Sequence, residues 1–152
     1  MKQETKMWLK IVGITALTAI LGGLFSMNSK EFYQTLVKPP FAPPSGAFPI
    51  VWGILYVAMA LALGLYFRKK PQASFVFWTY AANLLLNALW PLFFFSLEMI
   101  CFSVFILLAL IVVNLILIGE LKAVKISFYL YLPYLLWQIF ALYLNIGFCL
   151  LN

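Results

Sequence analysis

The sequence predicts an all-α membrane protein, a single domain built as a bundle of five transmembrane helices, and two observations carry that prediction. The first is composition: 66% of the residues are hydrophobic and only 9% are charged, against about half and about a quarter in soluble domains. A globule of 152 residues with so few polar side chains cannot cover its own apolar surface. The second is where the ten basic and four acidic residues fall. They leave charge-free windows at 11–29, 39–67, 71–97, 99–119 and 126–152. A helix needs about 20 apolar residues to cross a hydrocarbon core of about 30 Å, so each window holds one crossing. The windows are continuously apolar and do not alternate, which argues against a β-barrel.

The expected helices lie near 8–26, 48–67, 75–97, 100–119 and 127–150. The first has the basic start and apolar run of a signal peptide, but no small-x-small cleavage site follows Phe25. It is therefore expected to remain as a helix. The third and fourth windows are split only by Glu98 and are together too long for one span, so a tight hairpin is expected near Ser96–Met99. Between the first two helices runs a long loop, 27–47, in which Pro39, Pro40, Pro43 and Pro44 stand close together. Proline fixes φ and disfavours helix in the residue before it. That stretch is expected to be a stiff, non-helical lid over the outer end of the bundle. Pro91 and Pro133 should disturb backbone bonding within the third and fifth helices.

With the N-terminus inside, the inner segments carry Lys2, Lys6, Lys10, Arg68, Lys69, Lys70, Lys122 and Lys125, and the outer ones only Lys30 and Lys38. The positive-inside rule favours that orientation, which puts the lid, the hairpin and the C-terminus on the outer face. A short chain with this bias points to a bacterial cytoplasmic membrane. The net charge of +6 is then mostly a topology signal, with some affinity for anionic lipid headgroups. No basic run exceeds three residues, so nucleic acid is not an expected partner.

The missing residue types exclude most chemistry. There is no histidine and no aspartate, which removes the commonest general base, metal ligand and haem ligand. No catalytic and no metal-binding residue is assigned. Cys101 and Cys149 lack a C-x-x-C spacing and are read as two independent free cysteines behaving as small hydrophobes. No charge falls in the middle of a span, which weakens an ion-coupled pump; Glu98 belongs to the hairpin.

What remains is aromatic. Trp8 and Trp78 stand near the inner helix ends, where amphipathic rings settle at the membrane interface. Trp52, Trp90 and Trp137 lie within spans. Helical spacing puts Phe48, Trp52 and Tyr56 on one face. It does the same for Asn87, Trp90 and Phe94, with Asn83 one turn further in, and for Trp137, Ala141 and Asn145. Flat aromatic walls with a few amides suit a large planar apolar ligand with polar edges. The same faces suit packed helix interfaces bridged by asparagines. Spacing alone leaves both readings open.

These stretches resemble the translocator protein family, also known as the tryptophan-rich sensory protein or peripheral benzodiazepine-receptor family. The matching pieces are Gly22-Gly23, Tyr33-x-x-Leu36-x-Lys38-Pro39 with Pro43-Pro44, and Phe48-x-x-Val51-Trp52-x-x-Leu55-Tyr56. They continue as Leu86-Asn87-x-x-Trp90 and Pro133-Tyr134-x-x-Trp137-x-x-Phe140-Ala141-x-x-Leu144-Asn145. The resemblance implies a five-helix bundle, usually a homodimer joined through the third helix. It also implies binding of tetrapyrroles such as protoporphyrin IX and, in some members, of sterols and benzodiazepine-type drugs. Its pocket positions carry over to Tyr33, Pro43, Phe48, Trp52, Tyr56, Asn87, Trp90, Trp137 and Ala141, with Gly23 able to face the ligand. The chain departs from the family at Asn83, often glutamine, and at Phe32, often tryptophan. It ends at Asn152 without the basic tail of the proposed cholesterol motif, so sterol recognition through that motif is not expected.

The function expected on this basis is that of a membrane receptor for porphyrin-like ligands, with no resident cofactor. Light-driven oxidative breakdown of the bound porphyrin is a second possibility, needing no protein acid or base because the porphyrin is its own photosensitiser. Passive transport across the bilayer is a third.

Overall fold

In the computed structural model, which describes residues 3–27 and 29–152, each apolar window folds as one long helix. Lys2, counted above on the inner side, lies outside the described residues. The elements are α1 (Gln3–Phe25), α2 (Ser29–Thr35), α3 (Ala47–Lys69), α4 (Ser74–Pro91), α5 (Ile100–Leu121) and α6 (Lys125–Leu151). A π-helical turn, Leu92–Ser96, extends α4. Five of these helices are long and apolar enough to cross a membrane, and no strand occurs among the described residues. The chain is an all-α membrane bundle.

The helix ends follow local chemistry. The start of α1 is polar and reaches Glu4, whose carboxylate pairs with Arg68 at the end of α3, 2.8 Å away. The hairpin falls where Glu98 predicts it: Leu97 N–H donates to the Leu92 carbonyl and Met99 N–H to that of Phe93, with Glu98 at a positive φ of 55°. Pro91 has the expected effect, since the regular helix gives way to the π turn directly after it. Pro133 does not, and α6 runs through it unbroken.

The first loop is only partly as expected. Its prolines hold residues 36–46 outside any helix, but Ser29–Thr35 ahead of them, free of proline, forms α2.

The long helices close a ring in the order α1, α3, α6, α5, α4 and back to α1, each touching its two neighbours. Two buried clusters fill it. The larger, away from the lid, contains Leu63, Val76, Tyr80, Leu117, Leu121 and Tyr131, each no more than 1% exposed. There the Trp8 ring lies directly on Gly64, where no side chain would fit, while Trp78 is exposed to the surroundings. The smaller cluster, under the lid, gathers Tyr33, Trp90, Phe94, Leu107, Ala141 and Phe148.

On the side of the larger cluster that faces the smaller one runs a buried polar network. Asn83 Nδ2 donates to Asn114 Oδ1 at 2.7 Å, the Tyr131 hydroxyl donates to the same oxygen at 2.7 Å, and Asn114 Nδ2 donates to Gln138. Thr15 and Tyr80 share a 2.7 Å hydrogen bond between α1 and α4. Inside a bilayer no water can satisfy such groups, so they join helices by meeting one another.

The cysteines correct the sequence reading. Cys101 and Cys149 are not free but form a disulfide, with Cα atoms 4.9 Å apart. The residues are 48 positions apart and carry no pairing motif. The antiparallel packing of α5 on α6 sets the first turn of one beside the last turns of the other, and no local spacing reveals that.

Candidate functional site

Under the lid, α1, α2, α3 and α4 enclose a cavity of about 260 Å³. Its aromatic wall comes from one face of α3, because Phe48, Trp52 and Tyr56 recur at helical spacing. The opposite wall is the end of α4, with Asn87, Trp90, Pro91 and Phe95. The third wall, on α1 and the residue that follows it, is made of small residues: Ala19, Gly22, Gly23 and Ser26. A Cβ added at Gly23 or at Gly53 would meet nothing within 4 Å, so these two glycines leave space open. Ser29, Tyr33 and Ser45 complete the rim beneath the lid.

The polar inner end is a hydrogen-bonded relay. The Tyr56 hydroxyl approaches Asn87 Oδ1 at 3.4 Å, and Asn87 Nδ2 donates to the Tyr134 hydroxyl at 2.6 Å. Tyr134 in turn donates to Asn83 Oδ1 at 3.2 Å. The Asn87 amide is thereby oriented by the buried network, with its oxygen toward Tyr56. Among the described residues, no charged side chain lines the cavity.

The sequence-predicted residues divide into two sets. Gly23, Tyr33, Phe48, Trp52, Tyr56, Asn87 and Trp90 converge on the cavity. Phe94, Ala141 and Asn145 instead line a void of about 20 Å³ behind it, which shares Tyr33, Phe48, Trp90 and Phe95 with the cavity. Asn145 is fully engaged there. Its Oδ1 accepts from Trp90 Nε1 at 2.8 Å and from Ser103 at 3.0 Å, and its Nδ2 donates to the Ile100 carbonyl at 2.9 Å. Trp137 stands edge-on against Phe48, ring centroids 6.2 Å apart, outside the cavity lining. Pro43 acts through its carbonyl, which accepts from the Tyr33 hydroxyl at 2.7 Å. Burial raises the pKa of that phenol, keeping it a neutral donor.

The spacing argument missed Ala19, Gly22, Ser26, Ser29, Ser45, Pro49, Gly53, Pro91 and Phe95. The small residues at 19, 22, 23 and 26 recur on one helical face, and that stripe is the signal that would have found the third wall.

The lid is held from below at several points. Tyr143 donates to the Pro40 carbonyl at 3.0 Å. Asn152 Oδ1 accepts from Val37 N–H at 2.8 Å, and its Nδ2 donates to the Val37 carbonyl at 3.1 Å. Gly147 lies so close to Pro39 that an added Cβ would come within 2.6 Å of it. Lys38 Nζ sits 5.0 Å from the Tyr33 ring centroid.

A ring of five membrane-crossing helices with an aromatic, uncharged cavity beneath a proline-rich lid defines an integral membrane protein of the five-span, tryptophan-rich class. The chain belongs to the TspO/MBR family, whose model matches residues 11–151. It is 32% identical to the "Tryptophan-rich protein TspO" of Chlorobaculum tepidum, covering 93% of this chain and 92% of that one. It is 34% identical to the "Uncharacterized membrane protein YtaB" of Bacillus subtilis, over 90% and 94% of the two chains. The "Translocator protein" of Sus scrofa is 30% identical, over 91% of this chain and 87% of its own.

Proposed function

We propose that this protein is a membrane receptor for planar, largely apolar ligands of the porphyrin type, with protoporphyrin IX as the reference ligand. The observation that carries this reading is the convergence of Phe48, Trp52, Tyr56, Asn87 and Trp90, from two helices, on one uncharged cavity. Stacking rings would hold the macrocycle, Asn87 and Tyr56 would meet a polar edge, and charged substituents would lie outward toward Lys38. A volume of about 260 Å³ is just below the usual range of roughly 300–1,000 Å³ for small-molecule sites. A whole tetrapyrrole therefore requires the lid or the Phe48 and Phe95 rings to move aside. The same reading places the protein in a bacterial cytoplasmic membrane, N-terminus inside, as a homodimer. An outer-face disulfide agrees with that orientation, because disulfides persist on the oxidising side.

The test is a dark titration of the detergent-purified protein with protoporphyrin IX, followed by tryptophan fluorescence, beside Trp52→Phe and Trp137→Phe. Saturable quenching is expected, with affinity reduced about tenfold in Trp52→Phe, the loss of roughly 1.4 kcal/mol of ring contact. A smaller change is expected in Trp137→Phe, which acts only through Phe48. Non-saturable quenching in all three proteins would remove the porphyrin reading. Trp52 and Trp90 both line the cavity, which favours light-driven porphyrin breakdown as a second reading. Its check is whether the illuminated complex bleaches faster than free porphyrin in the same detergent.

A further inference from the structure

The lid does not rest on the helices around the cavity alone. Its segment Val37–Pro40 is seated on the last turns of α6, through Tyr143, Gly147 and Asn152. One of these contacts is the paired bond between the Asn152 amide and both backbone groups of Val37, the arrangement one strand residue makes with another. Asn152 follows the final helical residue, Leu151. The same amide donates to the Phe148 carbonyl at 2.9 Å, so the clasp holds only as well as this turn of α6 is ordered. That turn contains Cys149, bonded to Cys101 at the start of α5. Cys101 is exposed and Cys149 half-buried, so the bond is open to attack from the surface.

We propose that the Cys101–Cys149 disulfide and Asn152 together form a redox-controlled clasp that holds the lid shut over the cavity and thereby sets how long a ligand stays. Opening it takes two electrons and two protons. A thiolate of an external dithiol attacks one sulfur, its second thiol resolves the mixed disulfide, and Cys101 and Cys149 are left as thiols while the dithiol becomes a disulfide. The last turn of α6 is then free to fray, Val37 loses its partner, and the lid lifts. Asn152 acts as a positioning residue, since it touches the lid and not the cavity.

Two readouts test this, one of them independent of any ligand. The first is amide hydrogen exchange over residues 36–44 of the protein in nanodiscs, with and without a water-soluble phosphine reductant, which is oxidised to its oxide. The second is the dark release rate of protoporphyrin IX into excess acceptor vesicles, and this arm rests on the porphyrin reading. Reduction is expected to speed both by about tenfold, a change of roughly 1.4 kcal/mol. Asn152→Ala and the double variant Cys101→Ser/Cys149→Ser should each copy the effect. Combining all three substitutions should add little, because they open one clasp. The cysteine-free variant should ignore the reductant, and amides in Leu63–Phe67 at the far end of the bundle should exchange unchanged. Lid exchange indifferent to reductant, or speeding equally at both ends of the molecule, would overturn the proposal. Wild-type protein that binds no porphyrin would sink the porphyrin reading and leave the exchange arm to judge the clasp.

Discussion

The two ends of the bundle are built from the same residue types to opposite effect. Away from the lid, Leu63, Tyr80, Leu117 and Tyr131 are sealed from all contact with the surroundings, and the Trp8 ring covers Gly64. Under the lid, glycines face empty space, α4 loosens into a π turn, and the covering loop is held by separate hydrogen bonds to α2 and α6. Both ends are rich in rings and amides. At the far end the amides bond to one another across three helices; at the near end Asn87 hands one side of its amide to the network and turns the other to the cavity. Packing density, not composition, separates scaffold from site. Regions of low local stability are where ligand-gated motion is found.

That contrast can be broken in graded steps. The largest expected effect is at Asn114, which joins α4, α5 and α6 by bonding Asn83, Tyr131 and Gln138. Asn114→Leu strands three buried polar groups and should cost about 3 kcal/mol of stability, counting roughly 1 kcal/mol for each. Equilibrium unfolding in detergent would read it, and a loss no larger than that of a surface change would mean that the far end is not held by its network. Next comes Gly64→Leu, which has to displace the Trp8 ring; overpacking of this kind costs roughly 1–3 kcal/mol. The same substitution at Gly53 should behave differently. With nothing within 4 Å of its Cβ position, Gly53→Leu should leave the unfolding midpoint almost unchanged, within about 0.5 kcal/mol. If the cavity takes a porphyrin as proposed, the same variant should bind it about tenfold more weakly, through the volume lost from the cavity. Equal destabilisation at Gly64 and Gly53 would erase the distinction between the two ends.

The spans were legible because charge placement is a property of each segment alone. Four of the five begin within about three residues of their expected starts, and α1 reaches back further only because its polar first turn lies beyond the apolar run. One aromatic wall was legible for the same reason, since Phe48, Trp52 and Tyr56 share a face of one helix. Partnerships between helices were not. Asn145 has the spacing of a pocket residue, and only the proximity of Ser103 and Trp90 shows that its amide is already occupied. Cys101 and Cys149 look unrelated until α5 and α6 are laid side by side. Of the small residues that α1 turns to the cavity, Gly22 and Gly23 stood out through the family resemblance, whereas Ala19 has no side chain large enough to mark a face.

The π turn after Pro91 has a consequence for how the chain tolerates insertion and deletion. A π turn carries about one residue more than an α turn, so losing one residue there would let α4 continue in regular register up to the hairpin. In most helices such a slip would carry the wrong side chains onto each face. Here three phenylalanines occupy consecutive positions: Phe93 meets Phe102, Phe94 is buried against Trp90, and Phe95 lines the cavity. Shifting the register by one moves two of these rings onto their neighbours' faces and brings Leu92 or Ser96 onto the third. The local reading frame of the helix is partly degenerate, and the site inherits a tolerance to length changes that its shape alone would not suggest.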